Sequence, residues 1–443
     1  MVNFDFQQKI AILGYGVNNE KLTEWLIKHG AVSISILDRN TKIKEQRLKS
    51  KDADKNSKIN YQLGDNYLNN LDQFDIIFRT PGIPYLTPEI QIAKKKGVKI
   101  YSQTKLFFDL CPAMIIGVTG TKGKGTTAAL IYKILTQNTK CQMLNSKIYL
   151  AGNFGKDPFE FLDELTKNDI VILELSSFQL QDLEKSPHIA VVLPITPDHL
   201  NHHKNMQEYI NAKAKIIKFQ KNNDFAMLCQ DDKKSVDLAK KTPGQIVWFS
   251  GDGIDYSLYP SKLIGKHNLQ NISAVIAVAR ILKIQENIIK EGIKNFQPLP
   301  HRLEFAAEIN GVKYYDDSYA TDADATIAAL NAFGKSKNII LICGGSDKGV
   351  NYSELGKTIV QKCSFAIANG DTADRIISAI KTADKNYSSI YRTKDLKCSF
   401  AIAKSVSKPG DIILLSPASA SFDQFNNASE RGDKFKKIVN ELK

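Results

Sequence analysis

Short apolar runs alternate with amphipathic stretches over the first hundred residues. The apolar runs predict strands at 9–13, 33–37, 75–78 and 98–101, and the stretch 20–29 predicts a helix after the first of them. Strands that alternate with helices are typical of a parallel α/β fold. The N-terminal part of the chain is therefore expected to be a small Rossmann-like α/β domain.

The rest of the chain shows the same alternation in two further parts. The predicted elements are strands at 114–118, 169–175, 189–195, 338–343 and 411–416, helices at 126–135 and 205–221, and a terminal helix. At ~150 residues per domain, 443 residues correspond to three domains. We place them at 1–104, 105–298 and 299–443. The central one is expected to have a parallel sheet of the P-loop type, and the last one is expected to be a Rossmann-like α/β domain.

One hexapeptide, Cys-Ser-Phe-Ala-Ile-Ala, occurs at 363–368 and again at 398–403. The first copy precedes Asn369-Gly370, which favours a strand, and the second precedes Lys404, which favours a helix. Tertiary context decides the conformation of such a short apolar run. We therefore interpret the identity as a coincidence and not as an internal repeat.

A glycine-rich run lies between the strand predicted at 114–118 and the helix predicted at 126–135. Its residues are Gly120, Thr121, Lys122, Gly123, Lys124, Gly125 and Thr126. A strand, a glycine loop with a lysine and a helix start together form a phosphate cradle, because backbone N–H groups and the helix dipole face the anion. The usual pattern G-x-x-x-x-G-K-[ST] is not met, since Gly125 follows the lysine. The alternative is a plain glycine turn with a solvated lysine.

The first turn of the chain is a partial dinucleotide-binding fingerprint. The run from Gly14 to Asn19 has two of the three fingerprint glycines, and Asp38 ends the second strand, where a ribose-binding acid stands in such folds. The loop 79–82 after a later strand reaches the same sheet edge. This turn fits a nucleotide or nucleotide-sugar site, and it fits a tight turn without a ligand equally well.

Carboxylate and histidine side chains follow the predicted strands of the middle part. Glu174 ends an apolar strand, where Mg²⁺ beside a triphosphate is a natural partner, although a capping or ion-paired glutamate is the alternative. His199, His202 and His203 suggest zinc, but they lack regular spacing and a fourth ligand. A single histidine, His199, that helps to hold a second Mg²⁺ or the substrate is the favoured interpretation.

Composition and charge narrow the class of protein. The formal net charge is +13, yet the lysines are spread along the chain and no stretch interleaves basic and aromatic residues, which favours anionic small substrates over nucleic acid. No apolar run approaches ~20 residues and the start is no signal peptide, so we expect a cytoplasmic protein without a membrane contact. The six cysteines, including Cys141, form no C-x-x-C pair.

These motifs together resemble the Mur ligases, the ATP-dependent amino-acid ligases of peptidoglycan synthesis, and most of all the members that add D-glutamate. The similarity covers nearly the whole chain, in the order of the family. The matching motifs are Thr119 to Lys124, Gly152-Asn153-Phe154-Gly155, Glu174 to Leu180, Asp198-His199, Asn211-Ala212-Lys213, His267-Asn268 with Asn271, His301 to Glu304, Asp317-Ser318 with Ala320-Thr321, Gly344 to Gly349, and Leu415 to Phe425.

The resemblance implies a reaction and its substrates. ATP phosphorylates the carboxylate of UDP-N-acetylmuramoyl-L-alanine, the amine of D-glutamate attacks the acyl phosphate, and the amide, ADP and phosphate are formed. The cofactor is Mg²⁺, with two ions expected, and the protein is expected to act as a monomer. The residues implied in catalysis are Lys124, Glu174, His199 and Lys213.

Roles for the remaining site residues follow from the resemblance alone. Glu174 and Thr126 would hold one Mg²⁺, and His199 would hold the second. Lys213 would be a metal ligand in the form of a carbamate. The alternative for Lys213 is an ordinary surface lysine on a helix. The implied binding residues are Asn268, Asn271, Arg302, Asp317 and Thr321 for ATP, Gly14, Tyr15, Asp38, Arg39, Asn153 and Ser176 for the UDP-sugar, and Lys348, Ser421 and Phe422 for the amino acid.

The chain departs from the family pattern at four positions. Gly125 stands where the family has a metal-binding Ser or Thr, Tyr319 replaces a common lysine, Lys122 replaces a common asparagine, and Ala428 stands where an aromatic residue can line the amino-acid pocket. Two alternatives therefore stay open: an L-glutamate-adding relative and an inactive nucleotide-binding relative. A folylpolyglutamate synthase is disfavoured, because it lacks an N-terminal nucleotide-sugar domain such as the first hundred residues suggest here.

Overall fold

The computed structural model describes residues 4–49, 59–137, 146–153, 155–199, 202–255, 257–334 and 336–442. Cys141 and Phe154 of the sequence motifs lie outside these ranges. No helix within the described ranges combines the length and the apolar character that crossing a bilayer requires. The chain forms two compact units: residues up to Leu258 with Gln270–Ile293, and Tyr259–Leu269 with the residues from Lys294 onward.

A five-stranded parallel sheet organises the N-terminal domain, in the order β3-β2-β1-β4-β5. Its elements are β1 (Lys9–Leu13), α1 (Val17–Lys28), β2 (Ser33–Asp38), α2 (Ile43–Lys49), β3 (Ile59–Leu63), β4 (Ile76–Arg79), α3 (Pro88–Lys95), β5 (Lys99–Tyr101) and α4 (Gln103–Leu110). The strand order reverses between β1 and β4, and ligands of open α/β sheets bind at the carboxyl ends beside such a switch point. The turn at Gly14 lies there.

A six-stranded parallel sheet organises the middle domain, in the order β11-β10-β9-β6-β8-β7. Its elements are β6 (Met114–Thr119), α5 (Lys124–Gln137), β7 (Ile148–Gly152), β8 (Ile170–Glu174), α6 (Ser177–Leu180), β9 (Ile189–Val192), α7 (Met206–Lys218), β10 (Phe225–Cys229), α8 (Lys233–Leu238), β11 (Gln245–Phe249), α9 (Lys266–Ile281) and α10 (Glu286–Asn295). The central position of β6 places the phosphate loop at the middle of the sheet edge.

The C-terminal domain has a mixed sheet, in the order β12-β13-β17-β14-β15-β16. Its elements are β12 (Glu304–Ile309), β13 (Val312–Asp316), α11 (Ala323–Ala332), β14 (Ile339–Gly344), α12 (Ser353–Lys362), β15 (Cys363–Asn369), α13 (Ala373–Ala383), β16 (Ile390–Arg392), α14 (Leu396–Val406), β17 (Ile412–Leu415) and α15 (Ala428–Asn440). All pairs are parallel except β12 with β13, an antiparallel edge hairpin that the strand–helix alternation did not predict.

One apolar cluster joins the first two sheets. It contains Ile12 and Phe78 from the first sheet, Leu173 from the second, and Phe107 and Phe159 from the segments between them. Burial of apolar surface is the main stabilising term of a fold, so the shared cluster stabilises the packing of these two domains on each other. The C-terminal domain has its own two clusters, one on each face of its sheet.

Candidate active site

The phosphate loop links β6 to α5 and requires glycine at two positions. Gly120 has φ +144° and Gly123 has φ +84°, in the region that favours glycine. A Cβ on Gly120 would lie 2.6 Å from the Cβ of Leu193, and one on Gly123 would lie 2.2 Å from Oδ1 of Asn271. The predicted strand–loop–helix is thus confirmed, and α9 packs the Asn271 amide directly against the loop.

The hydroxyl of Thr121 braces the loop from beneath. It donates to the carbonyl of Thr196 at 3.0 Å, accepts from the Thr196 N–H at 2.9 Å and shares a hydrogen bond of 3.1 Å with the Tyr209 hydroxyl. Tyr209 is fully buried on α7, four residues before Lys213, and was not predicted as a site residue. Its only sequence signal is this i, i+4 spacing, which places both side chains on one helix face.

Two lysine side chains converge on the carbonyl groups of the loop. Lys124 Nζ donates to the Thr121 carbonyl at 2.9 Å, and Lys213 Nζ donates to the Gly120 carbonyl at 2.7 Å. Lys213 is only 1% exposed, so the interpretation of it as a surface lysine is wrong. Burial, and next the charge of Lys124, lowers the pKa of Lys213 well below its ordinary value. The unprotonated amine is therefore more accessible here than in a solvated lysine.

Glu174 and His199 lie at the carboxyl ends of strands that flank β6. Glu174 ends β8 and pairs in register with Val118, and His199 follows β9 with φ +55°. Burial lowers the pKa of His199, Lys124 and Lys213 lower it further, and Asp198 opposes them. The imidazole is therefore predominantly neutral at pH 7, with a lone pair that a metal ion can accept.

The other two histidines pack around Phe178. The Phe178 ring is stacked on His203 at 5.3 Å between centroids and meets His202 edge-on at 5.4 Å. His203 is buried, with Nε2 3.0 Å from the Ser177 hydroxyl and Nδ1 3.4 Å from Oε1 of Glu208. His203 is thus held by protein partners and is not solvated.

The donor atoms at this edge fit Mg²⁺. Glu174 offers a carboxylate and Thr126, in the first turn of α5, a hydroxyl, the hard oxygen ligands that Mg²⁺ prefers. Among the described residues, the three-residue groups of His, Cys, Asp and Glu with mutually close ligand atoms are confined to His301, Glu304 and Asp316. An ion at Glu174 or His199 therefore needs substrate oxygens or water to complete its coordination, which is usual for Mg²⁺ beside phosphates.

The cluster of His301, Glu304 and Asp316 is already filled by protein partners. His301 Nδ1 lies 2.7 Å from Oδ2 of Asp316, and Lys436 Nζ lies 3.1 Å from Oε2 of Glu304. A cation that pairs with the carboxylate repels a metal ion from it. The contacts of His301, Glu304 and Asp316 therefore help to hold α15 against the sheet.

The turn at Gly14, the candidate site for the nucleotide-sugar, is held by side chains of its own domain. Gly14 has φ +82°, and a Cβ there would lie 2.3 Å from Cγ2 of Thr80. The Tyr15 N–H donates to Oδ2 of Asp38 at 2.7 Å, so Asp38 orders the turn. Asn19, which replaces the third fingerprint glycine, is buried and donates to the Gly14 carbonyl at 2.8 Å. The side chain of Asn19, at the position of the third glycine, thus stabilises the turn, which the comparison with the fingerprint did not reveal.

Three further UDP-sugar candidates lie on loops after strands. Asn153 follows β7, and its N–H donates to the Glu174 carbonyl at 3.3 Å. Ser176 caps α6 through a reciprocal pair with Gln179. Arg39 follows β2 and is largely exposed. Asn153 and Ser176 share the sheet edge of the phosphate loop, and Arg39 belongs to the edge at Gly14.

The ATP candidates of the second compact unit surround the end of β13. Asp317 is buried, accepts from the Leu303 N–H at 3.1 Å and from the Ser416 hydroxyl at 2.8 Å, and burial raises its pKa to about 7. Arg302 lies with its guanidinium carbon 5.2 Å from the Tyr319 ring centroid. Thr321 follows on the next loop, where its N–H donates to the Tyr319 carbonyl.

The two asparagines implied for ATP, Asn268 and Asn271, belong to different compact units. Asn268 lies in the second unit, where its Nδ2 donates to the Ile264 carbonyl at 2.7 Å, and Asn271 lies in the first. Both are buried at the start of α9. Their joint contact with ATP remains a prediction.

The amino-acid candidates follow two neighbouring parallel strands. Lys348 follows β14 and is exposed, while Ser421 and Phe422 follow β17, the first buried and the second 71% exposed. Arg431 on α15, which sequence reasoning missed, is buried beneath these loops. Its guanidinium donates to the carbonyls of Ala420, Ser419 and Ser318 and to the Ser318 hydroxyl. In the sequence, Arg431 stands in a charged run and resembles a solvated helix face.

Comparisons with known proteins cover the whole chain. Residues 8–102 match the family model "Mur ligase MurD-like, N-terminal domain", residues 118–279 match "Mur ligase middle domain", and residues 301–419 match "Mur ligase, glutamate ligase domain". The chain is 38% identical to the UDP-N-acetylmuramoylalanine–D-glutamate ligase of Acetivibrio thermocellus, over 98% of this chain and 97% of the relative. It is 36% identical to the ligase of the same name from Clostridium tetani, over 99% and 98%.

Solved structures share the fold. The MurF ligase of Thermotoga maritima in complex with ADP aligns with a TM-score of 0.61 at 17% identity, over 99% of this chain and 96% of that one. The UDP-N-acetylmuramate–alanine ligase of Thermotoga maritima aligns with a TM-score of 0.59 at 18% identity, over 99% and 100%. With three family models in order and full-length relatives above 30% identity, the chain belongs to the Mur ligase family.

Proposed function

We propose that this protein is an ATP-dependent amide ligase that adds D-glutamate to UDP-N-acetylmuramoyl-L-alanine in peptidoglycan synthesis. The observation that carries the proposal is the convergence of Lys124 and the buried Lys213 on one glycine loop, beside Glu174 and a neutral His199. Full-length relatives that bear the name of this activity support the substrate assignment. The three domains, at 1–104, 105–298 and 299–443, would bind the UDP-sugar, ATP and the amino acid.

The first step is phosphoryl transfer to the substrate carboxylate. The N–H groups at the start of α5 face the phosphates, and Lys124 exchanges the Thr121 carbonyl for phosphate oxygens. A carboxylate oxygen of the UDP-sugar substrate attacks the γ-phosphorus, which gives an acyl phosphate and ADP. Preorganised cations matter here, because the charge is spread over phosphoryl oxygens in the transition state.

The second step is amide formation. The amine of D-glutamate attacks the acyl carbon, the tetrahedral intermediate expels phosphate, and the nitrogen loses a proton. Lys348 and the Ser421 hydroxyl, on the loops after β14 and β17, suit the carboxylates of the incoming amino acid. Arg431 fixes the second of these loops through the Ser419 and Ala420 carbonyls.

Mg²⁺ is the metal that fits the donors of the phosphate-loop edge. Glu174 and Thr126 would hold one ion and His199 a second, and the ions would neutralise phosphate charge. Lys213 would join the ligands as a carbamate. The burial of its amine supports this role, because only an unprotonated amine adds to CO₂. Thr126 would then supply the hydroxyl that Gly125 lacks.

Phosphate release tests the proposed function. The protein is given Mg-ATP and UDP-N-acetylmuramoyl-L-alanine, with D-glutamate, L-glutamate or another amino acid in turn. We expect release that depends on D-glutamate. Release with L-glutamate alone would assign the chain to a related ligase and direct attention to Ala428. Folded protein that binds ATP but releases no phosphate with any amino acid would overturn the proposal.

A further inference from the structure

Arg79 is a charged side chain buried inside the first compact unit. It ends β4 and is 0% exposed. Burial lowers the pKa of its guanidinium, while Asp182 opposes the shift, and no direct ion pair of Arg79 occurs among the described residues. A buried guanidinium that interacts with the Asp182 charge without a direct ion pair still costs free energy, so its hydrogen bonds show what it holds in place.

The hydrogen bonds of Arg79 bridge the first two domains. Nη1 donates to the carbonyls of Thr80 and Ile83, in the loop after β4, and Nη2 donates to the carbonyl of Phe178 on α6 at 3.1 Å. Nε lacks a partner in the described part of the chain. One rigid side chain thus fixes a loop of the N-terminal domain to a helix of the middle domain.

The loop that Arg79 holds is the one that packs on the nucleotide-sugar turn. Thr80 fills the space in which a Cβ at Gly14 would lie, and its N–H donates to the Leu13 carbonyl at 2.9 Å. Asn19 reaches both the Gly14 carbonyl at 2.8 Å and the Phe78 carbonyl at 3.4 Å. A displacement of this loop would therefore be transmitted to the turn at Gly14.

The other end of the bridge is the aromatic residue that seats the histidines. The Phe178 ring lies 5.0 Å from the His199 ring, edge-on, and is stacked on His203. Because Arg79 holds the Phe178 carbonyl, it fixes the backbone from which that ring projects. The ring in turn limits the orientations that the His199 imidazole can take.

We infer that Arg79 is a positioning residue that couples the nucleotide-sugar turn to the metal-binding His199, with Phe178 as the connecting group. The inference rests on the proposed function, in which the turn at Gly14 binds the UDP-sugar and His199 holds a metal ion. Arg79 touches no substrate itself and acts through Thr80 and Phe178. Groups that orient a metal ligand from outside change metal affinity by about 10- to 100-fold.

The test compares four variants of the full-length protein. Arg79→Met removes the donors and keeps the length of the side chain, Arg79→Lys keeps a charge, and Phe178→Leu cuts the other end of the bridge. Lys105→Met is the matched control: Lys105 is a buried cation at the same domain junction, 2.9 Å from Oε2 of Glu184, and its described hydrogen bonds, ion pairs and ring contacts do not include Phe178.

Two readouts separate positioning from folding. The first is Mn²⁺ affinity in the presence of ADP, followed by electron paramagnetic resonance, which needs no turnover. The second is the KM for each substrate. For Arg79→Met we expect Mn²⁺ affinity to fall about tenfold, the KM for the UDP-sugar to rise and the KM for ATP to stay within about twofold of the original. Arg79→Lys should recover part of the loss, and Lys105→Met should keep both values.

The coupling itself is read from the double variant. If Arg79 acts through Phe178, Arg79→Met with Phe178→Leu lowers Mn²⁺ affinity no further than either change alone. Additive losses, or an Arg79→Met protein that only melts at a lower temperature, would overturn the inference. Should Arg79→Met not fold, Phe178→Leu with unchanged Mn²⁺ affinity would overturn it as well. If the protein without substitutions has no ligase activity, the proposed function is refuted. The Mn²⁺ affinities of the variants then still test whether Arg79 positions His199.

Discussion

Asp317 is a residue whose protonation links pH to stability. Its carboxyl is buried beside Ser416 and Leu303, and its pKa is about 7 in the folded protein against an ordinary value of 3.8. The folded state therefore holds this proton more tightly than the unfolded state. Folding is favoured by this group below pH 4, and the contribution is lost as the pH rises towards 7.

We expect Asp317→Asn to flatten this part of the pH profile. At about 1.4 kcal/mol per pKa unit, the original protein should lose on the order of 4 kcal/mol relative to the variant between pH 4 and pH 7. Thermal unfolding midpoints of both proteins at several pH values within that window measure the effect. Parallel curves for the two proteins would contradict the assigned pKa.

Tyr319 stands where a lysine is common in the family, and its side chain contacts Arg302 and Ser429. Its ring faces the guanidinium of Arg302, and its hydroxyl shares a hydrogen bond of 2.9 Å with the Ser429 hydroxyl. An exposed cation–π contact contributes about 0.5–1 kcal/mol. Tyr319→Leu should therefore raise the KM for ATP by about two- to fivefold.

Tyr319→Phe is the matched control for this contact. It keeps the ring under Arg302 and removes only the bond to Ser429, so the KM for ATP should remain close to the original value. Steady-state kinetics of both variants at saturating UDP-sugar and D-glutamate measures the difference. Equal KM values for Tyr319→Leu and the original protein would show that the ring does not orient Arg302 towards ATP.

Lys213 connects burial to covalent chemistry. Burial lowers the pKa of its amine, which lies beneath the Gly120 carbonyl, so we expect it to form a carbamate with dissolved CO₂ more readily than a solvated lysine does. Carbon-13 magnetic resonance of protein in ¹³C-bicarbonate should show one additional carbonyl signal. Lys213→Arg keeps a long basic side chain but cannot form this adduct at neutral pH, and a signal that persists in it would assign the carbamate to another amine.

At the scale of elements, the duplicated hexapeptide separates local from tertiary causes of structure. The copy at 363–368 lies in β15, between β14 and β16, and the copy at 398–403 lies in α14, as their flanking residues predicted. The helical copy begins after Asp395, whose Oδ1 accepts from the Cys398 N–H at 2.8 Å. Pairing with β14 and β16 favours the strand at 363–368, and the side-chain cap favours the helix at 398–403.

Removal of the cap should therefore destabilise the helical copy. We expect Asp395→Ala to lower the free energy of unfolding of the C-terminal domain by about 1 kcal/mol, the usual cost of an N-cap. Lys397→Ala, an exposed change on the same helix without a cap, should be nearly neutral. Denaturant titration compares the three proteins. An Asp395→Ala protein as stable as Lys397→Ala would show that sheet and helix packing alone holds α14.

The predicted strands of the parallel sheets and the phosphate loop follow from apolar runs and glycine spacing, which are local signals. The hairpin β12–β13 carried a signal too: Asn310 and Gly311 both have positive φ, as a two-residue hairpin turn requires. Tyr209 gave only its i, i+4 spacing to Lys213, and Asn19 and Arg431 gave no local signal. Tyr209 and Arg431 act through partners distant in sequence, Thr121 and Ser318, and Asn19 also reaches the Phe78 carbonyl, so the fold is needed to reveal them.

The whole molecule should unfold in two steps, since the first two sheets share one apolar cluster and the third has its own. Trp25 lies in the shared cluster, 5.3 Å from the Phe159 ring. Trp25→Ala should cost about 3–5 kcal/mol and move one calorimetric transition only. Phe435→Leu, a change in the C-terminal domain, should move the other. A single transition shifted by both variants would contradict this division.

The contact of Trp25 with Phe159 and Asp163 also limits how domains can be exchanged between such ligases. The indole N–H donates to Oδ1 of Asp163 at 2.8 Å, so the N-terminal domain is completed by residues far beyond the chain position where it ends. A chimera joined near residue 104 would pair a foreign surface with Phe159 and Asp163, and leave both apolar and polar partners mismatched. We therefore expect a chimera of two relatives to fold only if residues around 157–164 come from the same parent as the N-terminal domain, although these residues are separate from that domain in sequence.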